Sequence, residues 1–210
     1  MNLKKWSFLF WTTLCVGGAV MLLTGLSMQL FQQELTKLKG PVDIIINIFQ
    51  LGISGLMISV YAQMGFFAYL TLNYIALGFF RKSWQYIQIV VTVFVILDLM
   101  FLRTLLGQER DIAADIMLGV TMLVVAIIVS YFKAKATNSR AVIPTLFFMI
   151  VGTTVETLSA LNVSHMATWF VFIPLVACNA YQILLLHRLL GDKKEESAET
   201  ITSPVITAKS

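Results

Sequence analysis

The chain has 210 residues, of which 58% are hydrophobic and 12% charged, with a formal net charge of +4 and a mean hydropathy of +0.84. Ordinary soluble domains carry about 25% charged residues, so this composition excludes a soluble globular protein. The basic balance does not indicate nucleic acid, because the cations sit at the ends of apolar runs, where topology determinants lie, and form no stripe with interleaved aromatics.

Lys4 and Lys5 precede a first apolar run, 6–28, which is longer than the core of a secretory signal and is followed by no small-x-small cleavage site. It is expected to be an uncleaved membrane helix. After it, Leu30, Phe31, Glu34, Leu35 and Leu38 follow helical spacing until Gly40-Pro41. This segment is either a short amphipathic helix on the outer membrane surface or the frayed end of the first span.

Between Asp43 and Arg81 lie 37 residues without a charged side chain. As one helix they would extend roughly 55 Å, past the ~30 Å hydrocarbon layer. A hairpin of two spans would leave no room for a turn. We therefore expect one span over 50–80, with 42–49 as a short interfacial helix leading into it. Further spans are predicted over 84–106, 112–132, 141–160 and 166–189. All are helices, since a helix satisfies its own backbone groups in lipid.

With the N-terminus inside, eleven cations fall on the inner side and four (Lys37, Lys39, Arg103 and Arg110) on the outer side. This bias predicts an all-α, polytopic membrane bundle of six transmembrane helices with both termini cytoplasmic. Residues 1–190 form the transmembrane domain. Residues 191–210, opening Gly191-Asp192-Lys193-Lys194-Glu195-Glu196, have too little apolar surface to fold alone. They are expected to be a disordered cytoplasmic tail, serving either solvation or a partner contact.

Ionisable groups inside a membrane are costly and so are candidates for function. Asp98, Asp115 and Glu156 fall in the outer halves of their spans, with Arg103 on the same side. Asp98 and Arg103 lie five residues apart, poorly placed to pair on one helix, so a cluster of Asp98, Arg103, Asp115 and Glu156 across helices is expected. It is either an ion-pair staple or a ligand or proton site, unless the charges merely snorkel. Gly52-Ile53-Ser54-Gly55 matches the G-x-S-G of rhomboid-type intramembrane proteases, with His165 or His187 as the base. Neither histidine falls at mid-depth, however, and a nucleophile needs its base within hydrogen-bond reach. Gly52, Gly55 and Ser59 are read instead as a close-approach surface for another helix, as are Gly17-Gly18 and Gly25. Gln50, Gln63, Asn73, Gln85 and Gln88 either hydrogen-bond between helices or line a passage. Cys15 and Cys178 are expected to be buried thiols. There is no phosphate-binding loop, dinucleotide fingerprint, metal-ligand spacing or paired-carboxylate arrangement, so no catalytic residue, metal or cofactor is assigned.

The run Asn73-Tyr74-Ile75-Ala76-Leu77-Gly78-Phe79-Phe80-Arg81-Lys82, followed by Trp84-Gln85 and then Asp98-Leu99-Met100-Phe101-Leu102-Arg103, resembles the KinB-signalling activation proteins (KbaA) of endospore-forming bacilli. The resemblance covers roughly residues 1–190. It implies a multi-pass protein of the cytoplasmic membrane, not an enzyme, that promotes sporulation by supporting a membrane sensor histidine kinase feeding a phosphorelay. It transfers no catalytic residue. The residues alone leave a second function class open, a small transporter or channel using the intramembrane acids. The oligomeric state is not legible.

Overall fold

The computed structural model describes the backbone of residues 3–32, 40–102, 112–161 and 165–202, and the side chains of most of these. Every regular element among the described residues is helical. Helix α1 is Leu3–Phe31, α2 Pro41–Phe80, α3 Trp84–Leu97, α4 Ile112–Ala136, α5 Val142–Phe147, α6 Thr153–Leu161 and α7 His165–Thr202. A π-helical turn, Asp98–Leu102, follows α3, and another, Phe148–Gly152, joins α5 to α6.

Helix α2 runs unbroken for 40 residues, ~60 Å at 1.5 Å per residue. There is no separate interfacial helix over 42–49, because nothing there breaks the pattern: the segment holds no Gly or Pro. The start is local chemistry. Gly40 is extended, Pro41 supplies its fixed φ at the first helical position, and Asp43 places a negative charge in the first turn. The end is Arg81, whose φ of 44° takes the backbone into the left-handed half of conformational space. The 3₁₀ turn Arg81–Ser83 then reverses the chain. The Trp84 indole N–H donates to Asn73 Oδ1 at 2.8 Å, whereas eleven residues of straight helix would hold them ~16 Å apart.

Among the described residues, five helical segments are long and apolar enough to cross a membrane: Lys4–Phe31, Pro41–Met100, Ala113–Ala136, Ser139–Thr157 and Ala167–Leu186. The second, 60 residues long, contains the reversal at Arg81 and so is not one rod. Helix α3 leaves α2 to pack on α5, and the π-turn after it packs on α4. The expected amphipathic segment 30–38 is described only as far as the end of α1, where Leu30 and Phe31 are exposed; 33–39 lie outside the described residues. Helix α7 carries the backbone through Thr202. Lys, Glu and Ala are strong helix formers and dominate its stretch 191–202, and the next proline is Pro204.

The centre of the bundle is aromatic and sulfur-rich. Phe66 and Tyr69 of α2 meet Phe148 at ring separations of 5.5 and 4.8 Å, and Phe147 meets Trp84 at 5.9 Å. Phe148, Met149 and Ile150 are three consecutive buried residues. They occupy the π-turn, where α2, α3 and α4 surround the chain. In lipid the hydrophobic effect does not hold helices together; close packing and interhelical hydrogen bonds do.

Candidate functional site: a polar cluster inside the bundle

The closest helix approach is between α1 and α2. A Cβ added to Gly55 would come within 2.9 Å of Gly17 O and Gly18 Cα and 2.7 Å of Met21 Cβ. A Cβ on Gly17 would overlap the Ser59 hydroxyl and lie 2.9 Å from Cys178 Sγ. Here α1, α2 and α7 converge, with Gly17, Gly18 and Gly55 leaving room for the small side chains of Ser59 and Cys178. Ser59 donates to Gly55 O on its own helix at 2.9 Å and lies 3.7 Å from the Cys178 sulfur. Gly52 differs from the expectation. A Cβ there would meet nothing within 4 Å, because Gly52 faces an open apolar groove of about 550 Å³ between α1 and α2. It lies three residues before Gly55, about 60° around the helix and roughly 4.5 Å along it, which places it in the groove rather than at the contact.

Six residues beyond Ser59 on α2, Gly65 faces Glu156 of α6. The Glu156 Oε1 atom occupies the space that a Gly65 side chain would fill. The other carboxylate oxygen, Oε2, accepts from Asn179 Nδ2 of α7 at 2.6 Å, and the same amide donates to Thr153 Oγ1 at 3.0 Å. Thr153 and Glu156 stand three apart and so share a face of α6. Glu156 is 4% exposed, Asn179 and Thr153 0%. Glu156 Oε1, Asn179 Oδ1 and both polar atoms of the fully buried Gln182 have no hydrogen-bond partner among the described residues. Such groups normally find one, so this is the most polar and least satisfied part of the interior. Lys133 of α4 reaches α7 one turn beyond Asn179, donating to Ile183 O at 2.6 Å. Gln63 of α2 donates to Phe10 O of α1 at 3.1 Å.

The neighbours that the described residues give Glu156 are Asn179 and Gly65. Asp98 opens the π-turn and is half-buried, and Asp115 is buried near the start of α4. These two do stand on adjoining elements: Met100 of the turn packs on Gly119, one helical turn after Asp115. Arg103 lies outside the described residues. Sequence reasoning missed Asn179, Gln182, Thr153 and Lys133. The available signal was two amides three residues apart inside the apolar run 166–189, matched by a lysine three residues before the end of α4.

Ser54 is exposed and donates to Gln50 O on its own helix; the side chains of His165 and His187 lie outside the described residues. Both cysteines are free, but only Cys178 is buried; Cys15 is exposed and lines the groove. Among the described residues no three His, Cys, Asp or Glu side chains are grouped to hold a metal. The cluster's chemistry is that of hydrogen bonding across three helices.

Fold and cluster together define an all-helical protein with helices built to cross a membrane and a polar tie at their centre. The family model described as KinB-signalling pathway activation in sporulation, KbaA, matches residues 17–189, and the chain belongs to this family. It is 32% identical over 187 residues to the KinB-signaling pathway activation protein of Bacillus subtilis (strain 168), an alignment covering 85% of this chain and 93% of that protein. No solved structure matches.

Proposed function

We propose that this chain is a non-enzymatic accessory protein of the bacterial cytoplasmic membrane that promotes activation of a KinB-type sensor histidine kinase, and through it the phosphorelay leading to sporulation. The observation that carries the reading is family membership across 17–189, with a relative of almost the same length named for activation of the KinB pathway. The chain is read as crossing the membrane six times with both termini in the cytoplasm. The reversal at Arg81–Ser83 supports this, because it divides Pro41–Met100 into two rods with Arg81 and Lys82 between them. Contact with the kinase is assigned to the spans or the cytoplasmic edges, since no enzymatic constellation accounts for the effect. Residues 191–210 are assigned to the cytoplasm as the part of the chain outside the bundle.

The test is co-purification. Mildly solubilised membranes carrying the tagged protein and the sensor kinase are expected to yield both in one complex. A protein that never associates with the kinase, in detergent or after crosslinking in intact membranes, removes the reading. The unpartnered polar atoms of Glu156 and Gln182 favour a second reading, a small transporter. Solute flux in proteoliposomes that disappears in Glu156→Gln would establish it instead.

A further inference from the structure

One end of the bundle collects the cations. Trp6 lies 5.5 Å from Phe67, the Tyr69 hydroxyl donates to Pro144 O at 3.0 Å, and Trp84 packs on Phe147 at 5.9 Å. The start of α1, the last third of α2 and the starts of α3 and α5 therefore lie at one end. At or beside that end stand Lys4, Arg81, Lys82 and Arg140, all exposed. The carboxylates Asp43, Asp98 and Asp115 belong to the opposite ends of α2, α3 and α4.

Within this end Arg81 is singular. It is the one non-glycine residue with positive φ among the described residues, at φ 44° and ψ −113°. Holding a side-chain-bearing residue there strains the backbone, a cost glycine would not incur. The turn is clamped from inside: Asn73 Oδ1 accepts from Trp84 at 2.8 Å and from Gln88 at 3.5 Å. Arg81 itself is exposed. Near it in sequence, Tyr74 and Phe79 are each 81% exposed and Tyr86 73%. Exposed aromatic rings flanking a cationic turn at the end of membrane-length helices match the headgroup level of a bilayer.

We propose that Arg81, with Lys82 beside it, binds the phosphate of an anionic phospholipid, while Tyr74, Phe79 and Tyr86 lie along its glycerol and upper acyl chain. A guanidinium meets phosphate oxygens with two parallel N–H donors, which glycine at the same turn would not supply. The inference rests on the membrane-spanning reading and is independent of the kinase.

The experiment uses the full chain in vesicles of phosphatidylcholine alone and of phosphatidylcholine mixed with phosphatidylglycerol. It follows thermal unfolding and competition by labelled phosphatidylglycerol. The wild type is expected to melt higher in the mixed vesicles. Arg81→Gly is expected to lose most of that rise and to bind the labelled lipid about fivefold more weakly. In phosphatidylcholine alone it should melt at or above the wild-type temperature, since the backbone strain is relieved. Arg81→Gln keeps the strain and is expected to lose the lipid-dependent rise as well. Inorganic phosphate added to phosphatidylcholine vesicles is expected to change nothing. The proposal is overturned by an equal lipid-dependent rise in Arg81→Gly and wild type, by no rise in the wild type, or by Arg81→Gly melting lower in phosphatidylcholine alone. It is also overturned if free phosphate reproduces the effect.

Discussion

At the scale of single residues, two glycines three positions apart should behave oppositely. Gly55→Ala drives a methyl group against the backbone of Gly17 and Gly18, and overpacking of this kind costs about 1–3 kcal/mol. Gly52→Ala meets open space and should be neutral or stabilising by up to about 1 kcal/mol, because alanine is the better helix former. Thermal melting of the two variants in one detergent checks the contrast; equal melting temperatures would place the α1–α2 contact elsewhere. In the polar cluster, Asn179→Leu removes the donor to both Glu156 and Thr153 and leaves a carboxylate oxygen unpaired in the interior. A loss of about 1–3 kcal/mol is expected, largely cancelled when Glu156→Leu is added. A double-mutant cycle by reversible unfolding in detergent measures that coupling, and additive losses would show that the two side chains do not act together. The sequence carried the raw material for both sites: small residues in spans, an acid in a span. It did not carry which helix each would face. Gly52 and Gly55 are equivalent by composition and separate only by about 60° around α2 and roughly 4.5 Å along it. Glu156 was legible as an intramembrane acid, while its partner on α7 was hidden among apolar neighbours.

At the scale of helices, polar side chains fix register where apolar surface does not. Gln29 at the end of α1 and Asn47 near the start of α2 exchange two hydrogen bonds, at 3.0 and 2.6 Å. Interhelical bonds in membranes are worth about 0.6–2 kcal/mol each. Asn47→Leu should therefore lower stability by about 1–2 kcal/mol, and Gln29→Leu added to it should lower it little further, read again by melting. At the other end Asn73 holds the reversal. Asn73→Leu frees Trp84 and Gln88 together, and the α2–α3 turn is expected to become sensitive to trypsin at Arg81 in intact inverted vesicles. Resistance equal to wild type would mean that the turn does not depend on Asn73. The helical nature of these elements was legible from hydropathy alone, and the absence of charge from 44 to 80 indicated one long rod. Its extension back to Pro41 was not, because a helix of 40 residues exceeds what a bilayer requires and length cannot be inferred from need. The π-turns were also invisible: each depends on neighbours packed around it, and neither Asp98–Leu102 nor Phe148–Gly152 has a marker within its own residues.

At the scale of the molecule, the charge pattern and the family point the same way. Among the described residues, Lys4, Arg81, Lys82 and Arg140 stand at or beside the end that holds the Arg81 turn, and Asp43, Asp98 and Asp115 at the opposite ends of their helices. Reporters fused after Lys82 and after Arg140 are expected to be cytoplasmic, and one inserted near Gly107 external. A cytoplasmic signal at Gly107 would reduce the number of crossings. The family resemblance was legible in short apolar motifs around Asn73 and Asp98, and the matching region, 17–189, takes in the bundle from the middle of α1 onward. The proposed function has no residue-level signature, since an accessory role would be exercised through shape and contact, which a linear pattern does not encode.

The account stands or falls on coupling to a sensor kinase, and genetic epistasis measures that coupling. Cells lacking this chain, cells lacking the KinB-type kinase and cells lacking both are compared for output of a phosphorelay-dependent promoter at the onset of sporulation. We expect the first deletion to lower output and the double deletion to match the kinase deletion alone. A double deletion that falls well below the kinase deletion, or a single deletion with normal output, would contradict the account.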